Sequence, residues 1–179
     1  RYFYDPDREK YEEYMLEAFI AAPEYEAAKR LGFVLKSEYD AFQAAGYEYY
    51  KHDPFGLAKV TKEKFEVGDE VIHNGDYAVV EKSEDSDCRI ILKYSKDGKE
   101  TYIHTKHSQL LLIHPLRKEW ELCKHFGFSR KEDYEKFKMT GFDNKGDYEE
   151  AARFGIFFKD DFEDFKNSQE YILCHVLGF

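Results

Sequence analysis

Hydrophobic positions in two parts of the chain recur with the spacing of short helices, each closed by a glycine. Gly127, Gly141 and Gly155 stand 14 residues apart, each with an aromatic residue seven positions before it and a large apolar residue directly after it. Positions −7, −4 and −1 relative to each glycine share one face of a helix. Gly32 and Gly46 repeat the arrangement earlier in the chain. The pattern predicts five amphipathic helices that end at left-handed glycines.

Two kinds of helix alternate in this pattern, so the full repeat is 28 residues long. One kind carries an aromatic, a small and a large residue on its inner face, and the other carries an aromatic residue, phenylalanine and a small residue. Small residues opposite bulky ones allow close packing. Three helical hairpins are therefore predicted, at residues 24–47, 118–142 and 147–170. Since a two-helix unit cannot bury its apolar face alone, the hairpins are expected to stack.

The ends of the helices carry further signals. A helix is predicted over residues 5–22, which open with an Asp-Pro dipeptide suited to a helix start. Ser37, Ser129 and Asp160 are predicted to cap later helices with their side chains. In the last repeat Gln169 replaces the glycine, as expected of a terminal cap.

Residues 65–114 have a different pattern, in which short runs of β-branched and apolar residues alternate with turn sequences. Asn74-Gly75 and Asp97-Gly98 predict tight turns, and an acidic loop at 84–87 separates two of the runs. Four or five short strands within about fifty residues are typical of a small barrel.

This segment resembles the SH3-like barrels of the KOW and Tudor type over residues 66–113. The matching features are the opening at 67–71, the Asn74-Gly75 hairpin and the closing strand after Asp97-Gly98. The resemblance implies a small β-barrel. It also implies one of the roles such barrels have, which are contact with RNA, reading of methylated residues, and service as accessory subunits of larger complexes, photosynthetic ones included.

A reader of the Tudor type holds its cationic ligand in a cage of aromatic side chains. Tyr77, Tyr94 and Tyr102 are the candidates for such a cage, although their alternation equally fits packing in the core or at an edge. Tyr49 and Tyr50 lead into an aromatic-rich connector. Together with the three tyrosines above, they are the candidate partner-binding residues.

These patterns predict a mixed α+β protein, with three short helical hairpins and an inserted small SH3-like β-barrel. Residues 1–50 would hold an N-terminal helix and the first hairpin, and 51–64 would form a connector. The barrel would occupy 65–114, and 115–179 would hold the other two hairpins. The apolar C-terminal tail from residue 171 is expected to dock on the array or on a partner.

Composition narrows the function. The 179 residues carry a net charge of −10, and no segment concentrates the basic charge that binding to a phosphate backbone requires, so nucleic acid is disfavoured as a partner. Three dispersed cysteines favour a reducing compartment inside the cell. No apolar run approaches the length of a membrane span. Because the sequence begins at Arg1, an organellar location (chloroplast or mitochondrion) is a further expectation.

Candidate chemistry is sparse. His104 and His107 are the best metal-ligand pair, but residues three apart on a strand point to opposite faces. We therefore expect that the histidines of residues 65–114 lie exposed in loops and that no metal site is formed. Cys174 and His175 are adjacent, and sequence neighbours do not generally meet side chain to side chain, so a packed thiol is expected. The glycines are spaced for helix ends and not for a phosphate loop. We therefore expect no cofactor, no small-molecule substrate and no catalysis.

The sequence favours a non-catalytic structural or adaptor protein that contacts other protein subunits within a larger assembly. Helical repeats present extended surfaces, and the 15 tyrosines supply contact area at low entropic cost. The alternative is a reader module that binds a peptide or RNA through the barrel, with the helices as scaffold.

Overall fold

A computed structural model describes residues 24–49, 62–94 and 99–177 of the chain. The helix predicted at 5–22, most of the connector with Tyr50, and the Asp97-Gly98 turn lie outside these ranges. The described residues form seven α-helices and one five-stranded antiparallel sheet. The mixed α+β class predicted from the sequence is therefore confirmed.

The helices are short, between six and eleven residues long. They are α1 (Tyr25–Arg30), α2 (Lys36–Ala44), α3 (Pro115–His125), α4 (Lys131–Thr140), α5 (Lys145–Arg153), α6 (Lys159–Lys166) and α7 (Gln169–Leu177).

The five glycines of the repeat each follow a helix, and all five have positive φ angles between 72° and 93°. At the end of α1, the N–H of Phe33 donates to the carbonyl of Ala28 and that of Gly32 donates to Lys29, at 2.9 and 3.0 Å. This pair of bonds requires a left-handed residue at Gly32, a conformation that only glycine adopts without strain. The predicted helix-ending role of these glycines is confirmed.

The predicted side-chain caps are wrong at three helices. Ser37 and Asp160 lie inside the first turns of α2 and α6, and Ser129 lies before the start of α4. The residues that precede these helices have extended backbones and make no side-chain cap bond; they are Leu35, Arg130 and Phe158. Only at α5, among these four helices, does a side chain cap the start, where Asn144 accepts from the N–H of Asp147 at 2.8 Å.

Each of the helices α2, α4, α5 and α6 begins with a lysine that stands four residues after a glycine of the repeat. The predicted repeat did not include this regularity. In two cases this lysine contacts the end of an earlier helix. Lys145 donates to the carbonyl of Gly127 at 2.8 Å, and Lys159 binds the carboxylate of Asp143, two residues past Gly141. A cation beside the last carbonyls of a helix also interacts favourably with the helix dipole.

The strands are β1 (Glu70–His73), β2 (Asp76–Ser83), β3 (Asp87–Leu92), β4 (Tyr102–Lys106) and β5 (Leu111–Leu112), in the spatial order β4-β3-β2-β1-β5. A single 3₁₀ turn, His107–Gln109, separates β4 from β5. Asn74 and Gly75, with φ of 50° and 90°, form the tight turn between β1 and β2 as predicted. Within the described residues β4 and β5 are the sheet's edges, and its closure into a barrel stays a prediction.

One face of the sheet carries the larger apolar core. Its buried members come from β1, β2, β3 and the segments that flank the sheet; they are Phe65, Val71, Ala78, Val80, Cys88, Ile90 and Leu110. A smaller cluster of Ile72, Tyr77 and Ile113 is separate from it, and Ile72 and Tyr77 alternate with core residues along their strands.

The chain divides into two compact units, residues 1–121 (unit 1) and 122–179 (unit 2), with the division inside α3. Unit 1 contains the first helical hairpin, the sheet and the start of α3. Unit 2 contains the end of α3 and the helices α4 to α7.

Unit 1 has a second, aromatic core where the first hairpin meets α3. The ring of Phe33 lies 5.2 Å from Trp120 and 5.3 Å from Phe42, measured between centroids. The hairpin also packs on the sheet, because a Cβ atom at Gly32 would lie only 2.8 Å from Cγ2 of Ile72. The first hairpin and the sheet therefore share one packed body.

Unit 2 is held together by aromatic rings that succeed one another along its helices. Phe137 contacts Tyr148 with centroids 5.6 Å apart, and Phe142 contacts Phe162 at 5.8 Å. Phe154 then contacts Phe165 at 5.0 Å. The inward positions predicted from the repeat thus meet within this unit. The stacking of all three hairpins into one array stays a prediction.

Candidate functional site

Tyr77 belongs to the packed interior of unit 1. Its side chain on β2 is only 6% exposed, and its ring meets that of Tyr94 edge to face at 5.6 Å. Its hydroxyl donates to the carboxylate of Glu70. Burial, together with the hydrogen bond to Glu70, raises the pKa of Tyr77 far above its ordinary value. Tyr77 and Tyr94 are therefore brought together, but as packing partners.

Tyr102 lies apart from that pair, on the edge strand β4. It is 48% exposed, and its hydroxyl donates to Glu100 at 2.8 Å. The guanidinium of Arg89 lies 5.4 Å from its ring centroid and is itself paired with Glu81. No ring contact among the described residues joins Tyr102 to Tyr77 or Tyr94, so these three residues do not form one cage.

Tyr49, the fourth candidate in the described part of the chain, is half-buried. Its ring meets that of His114 edge to face, with centroids 5.7 Å apart. Its role as a partner-binding residue stays a prediction.

The expectation of exposed loop histidines is wrong for His73, His107 and His114, which are buried. His107 shows the reason most clearly. The N–H of Phe65 donates to its Nδ1 at 3.0 Å, so the proton sits on Nε2, which donates to the carbonyl of Glu84 at 2.9 Å. Its ring thus joins two segments that approach the 3₁₀ turn. His104 remains exposed on β4.

Within the part of the chain that the structure describes, no three His, Cys, Asp or Glu side chains are placed to hold a metal ion. Cys88 and Cys123 are buried thiols, whereas Cys174, expected to be packed, is only half-buried. None of the helices in the described ranges combines the length and apolarity needed to cross a bilayer.

A polar depression of about 380 Å³ lies where β2, β3 and β4 meet near the 3₁₀ turn. Four of its lining residues are basic, namely Lys82, Arg89, His104 and Lys106. Lys82 pairs with Glu84 at 2.6 Å, and Arg89 pairs with Glu81. Much of the positive charge at this depression is therefore neutralised by carboxylates of the protein itself.

Arg117 is the most deeply buried charged side chain of the described residues, at 1% exposure, and no sequence pattern indicated it. Its guanidinium lies 3.7 Å from the ring centroid of Phe33. It donates to the carbonyl of Gly75 at 2.8 Å and to the carboxylate of Glu121 at 2.9 Å. Burial lowers the pKa of Arg117. One cation thus ties α3 to the first hairpin and to the β1–β2 turn.

Helix α7, formed by most of the apolar tail, has one side packed and one side open. Tyr171 faces inward, with its ring 5.5 Å from Phe165 and its hydroxyl donating to Glu150 at 2.9 Å. That hydrogen bond raises the pKa of Tyr171. Four aliphatic side chains of the same helix are 57–76% exposed, namely Ile172, Leu173, Val176 and Leu177. We call these four residues the α7 apolar face.

A groove of about 870 Å³ lies beside α7, with its other wall formed by α5 and the residues around it. Three carboxylates line it, those of Asp147, Glu149 and Glu150, together with a single basic side chain, Arg153. Phe154 and Cys174 also line the groove. Helix α7 thus contributes Cys174 to the acidic groove, and Leu177, three residues later, is the member of the α7 apolar face that adjoins Cys174 on the helix surface.

Comparisons with known proteins add no identity to these features. No protein-family model matches the chain, and no significant match is found among curated proteins or among solved structures. The surfaces described above are consequently interpreted from their own geometry and chemistry.

Proposed function

We propose that this protein is a non-catalytic structural or adaptor component that contacts other protein subunits within a larger assembly. The observation that carries the proposal is the α7 apolar face, whose four aliphatic side chains are all more than half exposed. Ile172 and Val176, like Leu173 and Leu177, are four residues apart and are therefore neighbours on the surface of the helix. Adjoining exposed apolar side chains are typical of protein interaction sites.

The energetics favour a partner at this face. Fully burying an aliphatic side chain contributes about 1.5–3 kcal/mol, so covering these partly exposed ones would contribute roughly 1–2 kcal/mol each. Charged residues, which are depleted at the core of interfaces, are not among the four.

The setting proposed is a reducing compartment inside the cell. The three cysteines, all free thiols, are compatible with such a compartment.

Site-specific photo-crosslinking tests the proposed function. A photoreactive amino acid replaces Leu173 in the protein expressed in its native cells, and the crosslinked products are identified by mass spectrometry. We expect one recurrent protein partner from position 173. The control is the same substitution at Met139, an 80% exposed side chain on α4. Absence of a recurrent product at 173, or the same products from both positions, would contradict the proposal.

A second candidate is the reader module that binds a peptide or RNA through the sheet of unit 1. The depression lined by Lys82, Arg89, His104 and Lys106 favours it, since these are the side chains that contact phosphates. Titration of the full chain with labelled oligouridylate and with a trimethyl-lysine peptide tests it. Saturable binding of the oligouridylate that Lys106→Glu abolishes, or saturable binding of the peptide, would support the reader function, and no binding of either probe would reject it.

A further inference from the structure

We propose that the groove between α5 and α7 binds a basic amphipathic helix of a partner protein, an inference that rests on the proposed function and specifies the partner's chemistry. The apolar stripe of that helix would cover Leu173 and Leu177, the members of the α7 apolar face nearest to the groove residue Cys174, and its basic residues would meet the carboxylates along α5. This is the helix-in-groove mode of recognition, in which anchors at i, i+3, i+4 and i+7 enter an apolar surface.

The shape of the site fits a helix of two or three turns. Helix α7 has nine residues, which corresponds to a length of about 13 Å. Its inward side is fixed by Tyr171, which contacts three aromatic rings of the unit and binds Glu150. The apolar face is therefore presented by a helix that is already docked, so a ligand would not have to order it.

The charge of the surroundings selects a basic ligand. Asp147, Glu149 and Glu150 line the groove together with Arg153, and Lys145 pairs with Glu149 at 3.5 Å, so that three carboxylates face two cations. Residues 147–177 together carry eight acidic and three basic side chains. Complementary charge guides partners to such a surface and excludes those of the same sign.

The same charge argues against two other occupants. A second copy of this chain would bring the same acidic groove, and the whole chain has a net charge of −10. The chain's own amphipathic segment at 5–22 carries six acidic and two basic side chains. Like charges facing each other across an interface are unfavourable, so a basic helix from another protein fits best.

Binding of synthetic peptides to the full chain tests the inference directly. The probe is a fluorescent peptide of about 18 residues, with leucine at i, i+3, i+4 and i+7 and lysine elsewhere. One control peptide replaces every lysine with glutamate, and a second keeps the composition but scrambles the order. Fluorescence anisotropy should show saturable binding of the first peptide, weakened by salt, with the two controls at least about tenfold weaker.

Matched variants separate the groove from general charge effects. Glu149 and Glu135 are both exposed and both pair with a lysine four residues earlier, at 3.5 and 3.7 Å. Glu149→Lys should weaken binding of the lysine peptide about five- to tenfold, whereas Glu135→Lys should leave it nearly unchanged.

The apolar face has its own pair of variants. Leu177→Asp, next to the groove, should abolish binding, and Met139→Asp, at another exposed apolar position, should not. Circular dichroism of each variant checks that the helices are retained, as expected for exposed positions.

Three results would overturn the inference: equal binding of the lysine and glutamate peptides, equal loss with Glu149→Lys and Glu135→Lys, or displacement of the lysine peptide by a peptide of residues 5–22. Sedimentation that shows a dimer dissociated by Leu177→Asp would assign the face to a second copy instead. The crosslinking at Leu173 distinguishes the two proposals. A recurrent partner crosslinked through an acidic or neutral segment would refute only the basic helix, and no partner at all would refute the proposed function.

Discussion

Gly32 in unit 1 and Gly155 in unit 2 end their helices with nearly the same backbone angle, φ of 75° and 72°, in very different surroundings. An added Cβ at Gly32 would strike Ile72 of the sheet, whereas no neighbouring atom lies within 4 Å of that position at Gly155. The same helix-ending motif is thus packed against the sheet in unit 1, whereas in unit 2 it has open space beside it. A shared local motif does not determine how much of it is buried.

The helices of the two units differ in the same way. In unit 1 the first hairpin covers part of the sheet and encloses Arg117, whose bonds reach Gly75 and Glu121. In unit 2 the helices pack on one another through aromatic rings, and α7 leaves four aliphatic side chains exposed. In unit 1 a helical hairpin packs on a sheet, whereas in unit 2 one helix leaves an apolar face open, and this is the face that the proposed partner would cover.

The largest expected effect comes from Arg117→Met. This change leaves the carboxylate of Glu121 buried without the guanidinium and the carbonyl of Gly75 without its donor, so we expect unit 1 to lose about 3–5 kcal/mol of stability. Hydrogen exchange resolved by mass spectrometry should show the loss in residues 24–49 and 62–94. The exposed Arg130→Met serves as the control and should change nothing measurable. Equal protection in both variants would show that Arg117 does not hold unit 1 together.

The glycine comparison gives the next effect. Gly155→Ala should destabilise by about 1–2 kcal/mol, the cost of a left-handed alanine. Gly32→Ala adds a steric clash with Ile72 to the same backbone strain and should cost about 2–4 kcal/mol in total. Urea denaturation of both variants measures the difference. If the two changes cost the same, the close packing of the first hairpin on the sheet is refuted.

A smaller effect is expected from His107→Ala, which removes the acceptor for the N–H of Phe65 and the donor to the carbonyl of Glu84. Leaving buried backbone groups without partners should cost unit 1 about 1–3 kcal/mol. The exposed His104→Ala provides the comparison and should be neutral in the same thermal denaturation experiment. A neutral His107→Ala would mean that water satisfies both groups.

The smallest expected effect is the contribution of Glu70, in unit 1, to the pH dependence of stability. Burial alone would raise the pKa of Glu70, but hydrogen bonds from Lys118 and Tyr77 bring it below its ordinary value. A carboxylate with a lowered pKa stabilises the fold above its unfolded pKa, and this contribution is lost as the pH falls through the folded pKa. Stability measured between pH 7 and pH 3 should therefore fall less steeply in Glu70→Gln. An unchanged slope would contradict this role of Glu70.

The features predicted correctly from the sequence are those that depend on a few neighbouring residues. A glycine at the end of a helix adopts the left-handed conformation for local reasons, and Asn74-Gly75 turns the chain by itself. The side-chain caps were wrong because three helices begin at other residues than expected, so that Leu35, Arg130 and Phe158, whose side chains make no cap bond, stand at the cap position. The lysines at the helix starts were visible in the sequence, but the earlier segments that Lys145 and Lys159 contact, at Gly127 and Asp143, lie 18 and 16 residues before them.

The candidate site was harder to predict because its features depend on distant segments. Alternation along the strands could not decide whether Tyr77 packs inside or faces a ligand, since that depends on Glu70 and Tyr94 beside it. Arg117 is buried by residues from three separate elements, and an arginine in a helix is ordinarily exposed. The apolar tail was recognised, but the division of α7 into a packed and an open side follows from the positions of Phe154, Phe162 and Phe165 around Tyr171.

The contacts of Arg117 also determine which fragments of the chain would keep their packing. A fragment limited to 65–114 would keep the strands but lose both Arg117 and the Phe33 ring that it covers, and Ile72 would be left without the hairpin that packs on it. Although the strands look like a module inserted between helices, they pack against residues that precede and follow them in the sequence. The smallest autonomous piece therefore has to retain residues on both sides of the insertion.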